Sequence, residues 1–250
     1  MIRYLLIFLC VCSVQAMPLA QRQQSSLWSG LVSHWCLNEG AVTVRDSAIG
    51  STRTGTLTTN TWGTGYIGQA VQFPSPPNVG FNILCTTSPI SVFPFTIATR
   101  FNTSYANSTA EYMFTHGNTT NDALFYALLI NTSGKLTMGF RNLTGGSGGI
   151  ISQVTNTVIC TNGLWHTGVG IFYQTNHMAL YQDGAFVSSN ISSAGGGSFI
   201  VGAPPVDNMT IGCWRRTTLL LPYSGLIDEC DTWNRALTPD EIIQLNNSFQ

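Results

Sequence analysis

The side chains with most chemical potential in this 250-residue chain are a few carboxylates and a late group of aromatic and cationic residues. Glycoside hydrolysis needs two carboxylates flanking the scissile bond, one as nucleophile and one as acid. Glu229 and Asp231, in Glu229-Cys230-Asp231-Thr232-Trp233-Asn234, are the pair to weigh for it. Sugar binding needs something else: aromatic faces on which rings stack and polar groups that fix hydroxyls, collected on loops. Trp214, Arg215, Arg216 and Tyr223 fall in one expected loop with Asp207 and Asn208 nearby, and form the candidate ligand site. The competing reading is that Trp214 packs inside and the arginines are solvated, since aromatics near strands are usually buried.

Two other patterns carry less. Gly145-Gly146-Ser147-Gly148-Gly149 satisfies G-x-S-x-G in letter, but a nucleophile elbow needs a strand before it and a helix after it. It reads as a flexible glycine loop. His34, His116, His166 and His177 show no pair at ligand spacing and the cysteines are better explained by bridges, so no metal site is expected.

Composition bounds the setting. Charged residues are only 8% of the chain against 44% apolar ones, so Ser, Thr, Asn and Gly must keep the surface wet. With a net charge of -1 and Lys135 as the only lysine, the chain has no basic footprint for nucleic acid or an anionic membrane. Arg3, an apolar run from Tyr4 to Val14 and the small residues before position 17 read as a secretory signal peptide cut after Ala16. That run falls short of the roughly 20 apolar residues that span a bilayer, so no membrane insertion is expected. The expected organisation is a signal peptide over 1–16, an N-terminal extension over 17–29 and one domain over 30–250.

Cys10 and Cys12 would leave with the signal, and Cys36, Cys85, Cys160, Cys213 and Cys230 would enter an oxidising compartment. Two bridges and one leftover thiol follow. Cys213 and Cys230 lie in late apolar segments in phase with inward residues, which favours Cys213–Cys230 with Cys85–Cys160 as the second bridge. Cys36–Cys230 stays open as an alternative, and a leftover Cys36 could link chains into an oligomer. Sequons at Asn102, Asn107, Asn118, Asn131, Asn142, Asn190, Asn208 and Asn246 imply a glycoprotein with some of them occupied.

The elements that must position these residues are strands. From Leu31 onward, short runs rich in β-branched and aromatic residues alternate with Gly, Pro, Asn and Ser clusters, which is an all-β signature. Asp183-Gly184 supplies the positive φ angles of a two-residue hairpin, so Asp183 is a turn residue first. One helix is expected from Thr238, with Thr238 and Glu241 forming a capping box, Pro239 at the first position, and Ile242, Ile243 and Leu245 as the apolar face.

Gly30-Leu31-Val32-Ser33-His34-Trp35-Cys36-Leu37-Asn38-Glu39-Gly40 and Gly65-Tyr66-Ile67-Gly68-Gln69-Ala70-Val71-Gln72-Phe73 resemble the opening of laminin G-like domains of the concanavalin A-like lectin/glucanase superfamily. Leu164-Trp165-His166, Leu180-Tyr181-Gln182-Asp183-Gly184 and Gly225-Leu226-Ile227-Asp228-Glu229 through Trp233-Asn234-Arg235-Ala236-Leu237-Thr238 resemble its later motifs in the same order, with a pentraxin-like ending. The resemblance implies an antiparallel two-sheet jelly-roll sandwich whose first and last strands lie side by side.

Glucanases of this fold carry E-x-D-x-x-E on a strand. Asn234 stands where the final carboxylate would be, so the acid is missing and no enzyme is expected. The pentraxin-type calcium loop would fall near Cys213-Trp214-Arg215-Arg216, where arginines replace acidic residues. No cofactor is therefore expected; a single weaker calcium site could use only Asp46, Asp183 or Asp207, which form no acidic cluster in the sequence. The expected function is a secreted, extracellular, non-catalytic module binding glycan or a glycoprotein. An extracellular structural or adhesion protein is the alternative, and glycoside hydrolysis is third.

Overall fold

The computed structural model describes residues 26–59, 61–105, 108–119, 124–141, 151–174, 177–191 and 206–248. In chain order its strands begin β1 (Leu31–Trp35), β2 (Thr43–Arg45), β3 (Thr54–Leu57), β4 (Thr61–Thr64), β5 (Gln69–Phe73), β6 (Ile83–Cys85), β7 (Phe95–Asn102), β8 (Glu111–Gly117) and β9 (Phe125–Ile130). They continue with β10 (Lys135–Arg141), β11 (Ile151–Ile159), β12 (Trp165–Gln174), β13 (His177–Gln182), β14 (Ala185–Ile191), β15 (Asn208–Ile211), β16 (Trp214–Arg215), β17 (Leu219–Leu220) and β18 (Gly225–Trp233). Helix α1 spans Pro239–Asn247.

Two antiparallel sheets form a jelly-roll sandwich. The first runs β14-β13-β12-β7-β18-β5-β4, with β1 also paired to β18, and the second runs β11-β10-β9-β8-β15-β6-β3-β2. Along one side β18 pairs with β7; its other side is shared by β5 at Gly225–Ile227 and by β1 at Cys230–Trp233. The first and last strands are thus neighbours. Alternation sends Ile97 and Phe101 of β7 into the core between the sheets, with Trp35, Phe73, Phe95, Tyr126, Phe172 and Tyr223.

A second apolar layer covers the outer face of the first sheet. Ala98, Val169, Ile171 and Trp233 meet Leu27 from the N-terminal 3₁₀ turn and Leu237, Ile242 and Leu245 from around α1. The helix starts as the sequence predicts: Thr238 Oγ1 accepts from the Glu241 amide, Glu241 reaches back to the Thr238 amide, and Pro239 sits in the first turn. Arg235 clamps both ends of the chain, donating to Ser26 and Ser29 carbonyls and bridging Glu241 at 2.7 Å. That pairing, with the Thr238 bond, holds the Glu241 carboxyl down at about 2.

The cysteine pairing differs from the sequence expectation. Among the described residues Cys85, Cys160, Cys213 and Cys230 are all free thiols. Cys85 ends β6 and Cys160 follows β11, strands five positions apart in one sheet, so roughly 24 Å of strand spacing separates partners that need Cα atoms within about 7 Å. Each thiol is instead met locally: Cys85 by Thr87, Cys160 by Gly134, Cys230 by Thr99 and Cys213 by Thr210. Cys230 points inward to the core, whereas Cys36 lies beside His34 on the opposite face of the sheet, so Cys36–Cys230 is not formed either. Cys36 is only 5% exposed, and a bridge to another chain through it is not supported.

Two sequons are also corrected. Asn208 is 1% exposed within β15, and Asn118 is 6% exposed, so neither amide is presented for a glycan in this fold. Asn102, Asn131, Asn190 and Asn246 lie on described segments, whereas Asn107 and Asn142 lie outside them, as do the signal segment and the loop 145–149.

Gly212, at the end of β15, has φ +87°, and its amide and carbonyl bond Met113 and Tyr223. A Cβ there would overlap the Phe73 ring. Gly212→Ala should therefore destabilise the fold by about 3 kcal/mol or more, combining left-handed strain with overpacking. Urea unfolding of the variant against wild type reads this directly.

Candidate functional site

The site begins with an irregularity in β18. Asp228 faces Arg100 and Cys230 faces Thr99, so Glu229 between them has no partner on β7 and forms a bulge with φ +47°. A regular strand would send Asp228 and Cys230 to one face and Glu229 and Asp231 to the other. The bulge instead leaves Cys230 inward and gathers Asp228, Glu229 and Asp231 on the outer side.

Asp231 Oδ1 lies 2.5 Å from His34 Nδ1, and Glu229 Oε2 lies 3.7 Å from His34 Nε2. Burial alone would lower the His34 pKa, but Asp231, Glu229 and Asp46 together outweigh it and raise it to about 9. Burial pushes Glu229 up to about 8 and Asp228 to about 7. Glu229 and Asp231 are 3% and 2% exposed, so this pair is enclosed around an imidazole and does not face a substrate.

Asp228 leads to the surface. Its Oδ2 accepts from the Ile67 amide at 3.1 Å and its Oδ1 from the Glu229 amide at 3.0 Å. The loop between β4 and β5 is thereby drawn over the sheet, closed by Gly65 N–H to Gly68 O and fixed at its far side by Gln69 N–H to Asn38 Oδ1. Gly65 is required there, because a Cβ would strike the Gln69 backbone and come within 2.8 Å of Asp228 Oδ2.

The loop carries Tyr66. Its ring lies 4.2 Å above the Arg100 guanidinium carbon and meets Trp165 edge-on at 6.0 Å. Arg100 is buried and donates to the Leu245 carbonyl of α1 at 2.8 Å, leaving its π-facing surface under Tyr66. Opposite, the Asp183-Gly184 turn has the positive φ pair the sequence predicts, and Asp183 binds His166 Nδ1 at 2.7 Å and the Thr167 amide at 2.8 Å. Tyr66, Arg100, Trp165, His166, Thr167, Asp183 and Asn246 line a cleft of about 160 Å³.

That volume is below the roughly 300–1,000 Å³ of drug-sized sites and suits a single ring or an end group. A second groove, of about 300 Å³, is lined by Gln72, Asn102, Ser104, Tyr105 and Leu226 among others, and Asn102 pairs directly with Trp165. Among the described residues Asp183 is the one carboxylate lining the cleft, so these residues do not assemble the paired-carboxylate geometry of a glycosidase there.

The residues expected to bind ligand lie elsewhere. Tyr223 is fully buried, its hydroxyl donating to the Asn102 carbonyl, and belongs to the core. Trp214 is 6% exposed, stacked on Tyr112 and tilted against Phe125, so it covers the second sheet's outer face. Arg216 lies over Trp214, Arg215 is half-buried beside it, and Asp207 is held by Thr119 and Asn208. The possible calcium carboxylates do not converge: Asp46 is bound by Arg53, Ser51 and the His34 amide, Asp183 by His166, and Asp207 by Thr119. His34, Cys36 and Glu229 bring ligand-type atoms within 4.8 Å of one another, but Cys36 is disulfide-bonded, so its sulfur is not free to ligate.

With the fold and cleft defined, the chain can be placed. A family model described as concanavalin A-like lectin/glucanases superfamily matches residues 64–243, and the chain belongs to that family. No curated protein matches the sequence. Among solved structures it is similar to the binding domain of Paraclostridial Mosquitocidal Protein 1, with TM-score 0.67 and 16% identity over 89% of this chain and 53% of that one. The chain therefore spans about half of that domain's length. It is also similar to domain 4 of AbnA, an extracellular arabinanase from Geobacillus stearothermophilus solved with arabinotriose, with TM-score 0.63 and 16% identity over 87% and 98% of the two chains. A third similar structure is the Ruminococcus gnavus IT-sialidase CBM40 bound to α2,3 sialyllactose, with TM-score 0.50 and 22% identity over 62% and 83%.

The buried cluster makes stability depend on pH. Asp228, Glu229 and His34 all have folded pKa values above their ordinary ones, so the folded chain holds protons that the unfolded chain releases. Their contributions are full below the ordinary values and are lost as pH rises through about 7, 8 and 9. His116, whose pKa burial lowers to about 3, acts only on the acid side, below its ordinary 6.5. The melting temperature should fall between pH 7 and 9, and Glu229→Gln should fall less over that window; equal slopes by differential scanning calorimetry would refute the assignment.

Proposed function

We propose that this chain is a secreted, non-catalytic carbohydrate-recognition domain that takes a glycan end group in the cleft of Tyr66, Trp165, His166, Asp183 and Asn246. The observation that carries the reading is the Tyr66–Trp165 wall, two half-buried aromatics set beside a histidine, a carboxylate, a threonine and an amide. A sugar ring offers C–H faces to such a wall and hydroxyls to such a rim. The enclosed Glu229–His34–Asp231 group and the single cleft carboxylate support binding without hydrolysis. Similar structures solved with sialyllactose and with arabinotriose favour the same class of partner.

Export rests on the leader-like residues 1–16, and the low charge of the surface suits a glycoprotein outside the cell. Among the described residues no helix is long and apolar enough to cross a membrane. The structural or adhesion reading keeps no disulfide support, because Cys36 is buried.

A glycan array probed with the secreted protein, with and without chelator, tests the function. Binding should persist in chelator, and Trp165→Ala or Tyr66→Ala should each weaken it about tenfold, near 1.4 kcal/mol, as loss of a stacking face predicts. A polysaccharide panel should yield no released sugar. Binding unaffected by both substitutions would move the site elsewhere, and no binding to any glycan would end the carbohydrate reading.

A further inference from the structure

We propose that Asp228 is the positioning residue of the cleft: its carboxylate, buried beneath the Gly65–Gly68 turn, holds Tyr66 in the wall against Trp165 and over Arg100. This rests on the carbohydrate reading of that cleft, and adds to it a residue that touches no ligand yet sets whether the wall exists.

Asp228 is fully buried, and its two oxygens are spent on the amides of Ile67 and Glu229. The Ile67 bond is made by the residue next to Tyr66, so it fixes the backbone from which the Tyr66 ring is hung. Gly65 leaves room for that approach, since a Cβ would come within 2.8 Å of Asp228 Oδ2. Without this anchor the turn keeps its own Gly65–Gly68 bond and its side contact to Asn38, but loses the hydrogen bond that ties it to β18 beneath. The bulge at Glu229 belongs to the same device, because it lets Asp228 face outward while Cys230 returns to the core.

The groups around Asp228 decide how the anchor responds to protons. Arg100 faces it from β7, Tyr66 covers it from the loop, and Glu229 and Cys230 follow it on β18. His34 and Asp231 act on Glu229 from β1 and β18, and His166 and Asp183 form the opposite wall. Burial raises the Asp228 pKa to about 7, opposed by the amides of Ile67, Glu229 and Tyr66 and by Arg100. Amide donors favour the ionised form, so the ionised form reciprocally holds the amides more firmly. Because burial outweighs those donors, and opening the loop returns the carboxylate to water and its ordinary range, the closed wall should loosen as pH rises through neutrality.

Hydrogen exchange on the ligand-free protein tests this without any glycan. In Asp228→Ala the amides of 65–68 should exchange about tenfold faster at pH 7, in line with one or two lost hydrogen bonds of about 1 kcal/mol each. Asp228→Asn, which keeps an acceptor and nearly the same shape, should restore part of the protection and abolish its fall between pH 6 and 8. The second arm is a double-mutant cycle on glycan affinity. Asp228→Asn should weaken binding severalfold in the wild type and leave Tyr66→Ala unchanged, since it acts only through that ring. Unaltered exchange in Asp228→Ala, or additive effects with Tyr66→Ala, would overturn the proposal. Absence of any glycan binding with the exchange result intact would instead overturn the carbohydrate reading alone.

Discussion

The structure turns on a strand that must cross the middle of a sheet while carrying three carboxylates. β18 has neighbours on both sides and an apolar core on one face, so ionisable groups can be kept only on the other. One extra residue at Glu229 achieves this. The bulge gathers Asp228, Glu229 and Asp231 on the outer side, where His34 and Arg100 compensate them. The arrangement accepts a left-handed backbone at a non-glycine residue, a local cost of about 1–3 kcal/mol tolerated because β7, β1 and β5 hold the strand around it.

Two consequences spread from that strand. Toward α1, its far end presents Trp233, whose indole donates to the Leu27 carbonyl and ties the N-terminal turn down beside the helix. Toward the surface, Asp228 reaches the β4–β5 loop and so connects an internal charge arrangement to the wall of a cleft. The residue types that suggest hydrolysis in the sequence are thus put to holding a surface loop from below.

Local signals carried much of the fold. β12, β13 and β14 were legible from β-branched runs and the Asp183-Gly184 turn, and α1 from its capping box, because each depends on neighbours in sequence. The two- to four-residue strands β2, β3, β4, β6, β16 and β17 were not, since their pairing is decided by distant partners. The disulfide pattern misled for a related reason: a cysteine in phase with core residues is equally well a small buried apolar group, and these four are. Trp214 and Tyr223 looked exposed in a polar loop, but the β16–β17 hairpin folds the one onto Tyr112 and Phe125, and the other enters the core. The cleft escaped notice because Tyr66, Arg100, Trp165, Asp183 and Asn246 come from five separate segments. Only the Trp165-His166 dipeptide and the turn aspartate hinted at it.

The order in which the chain is made gives the topology a further meaning. Among the described strands, the one that fills the centre of the first sheet is the last in chain order. Until it arrives, β1 has no strand partner and β5 and β7 each have one open side. Contacts between residues some 200 positions apart, such as Trp233 with Leu27, then close together at the end. The domain therefore completes its central sheet with its last strand, and the edges of its earlier strands need protection until that strand has emerged.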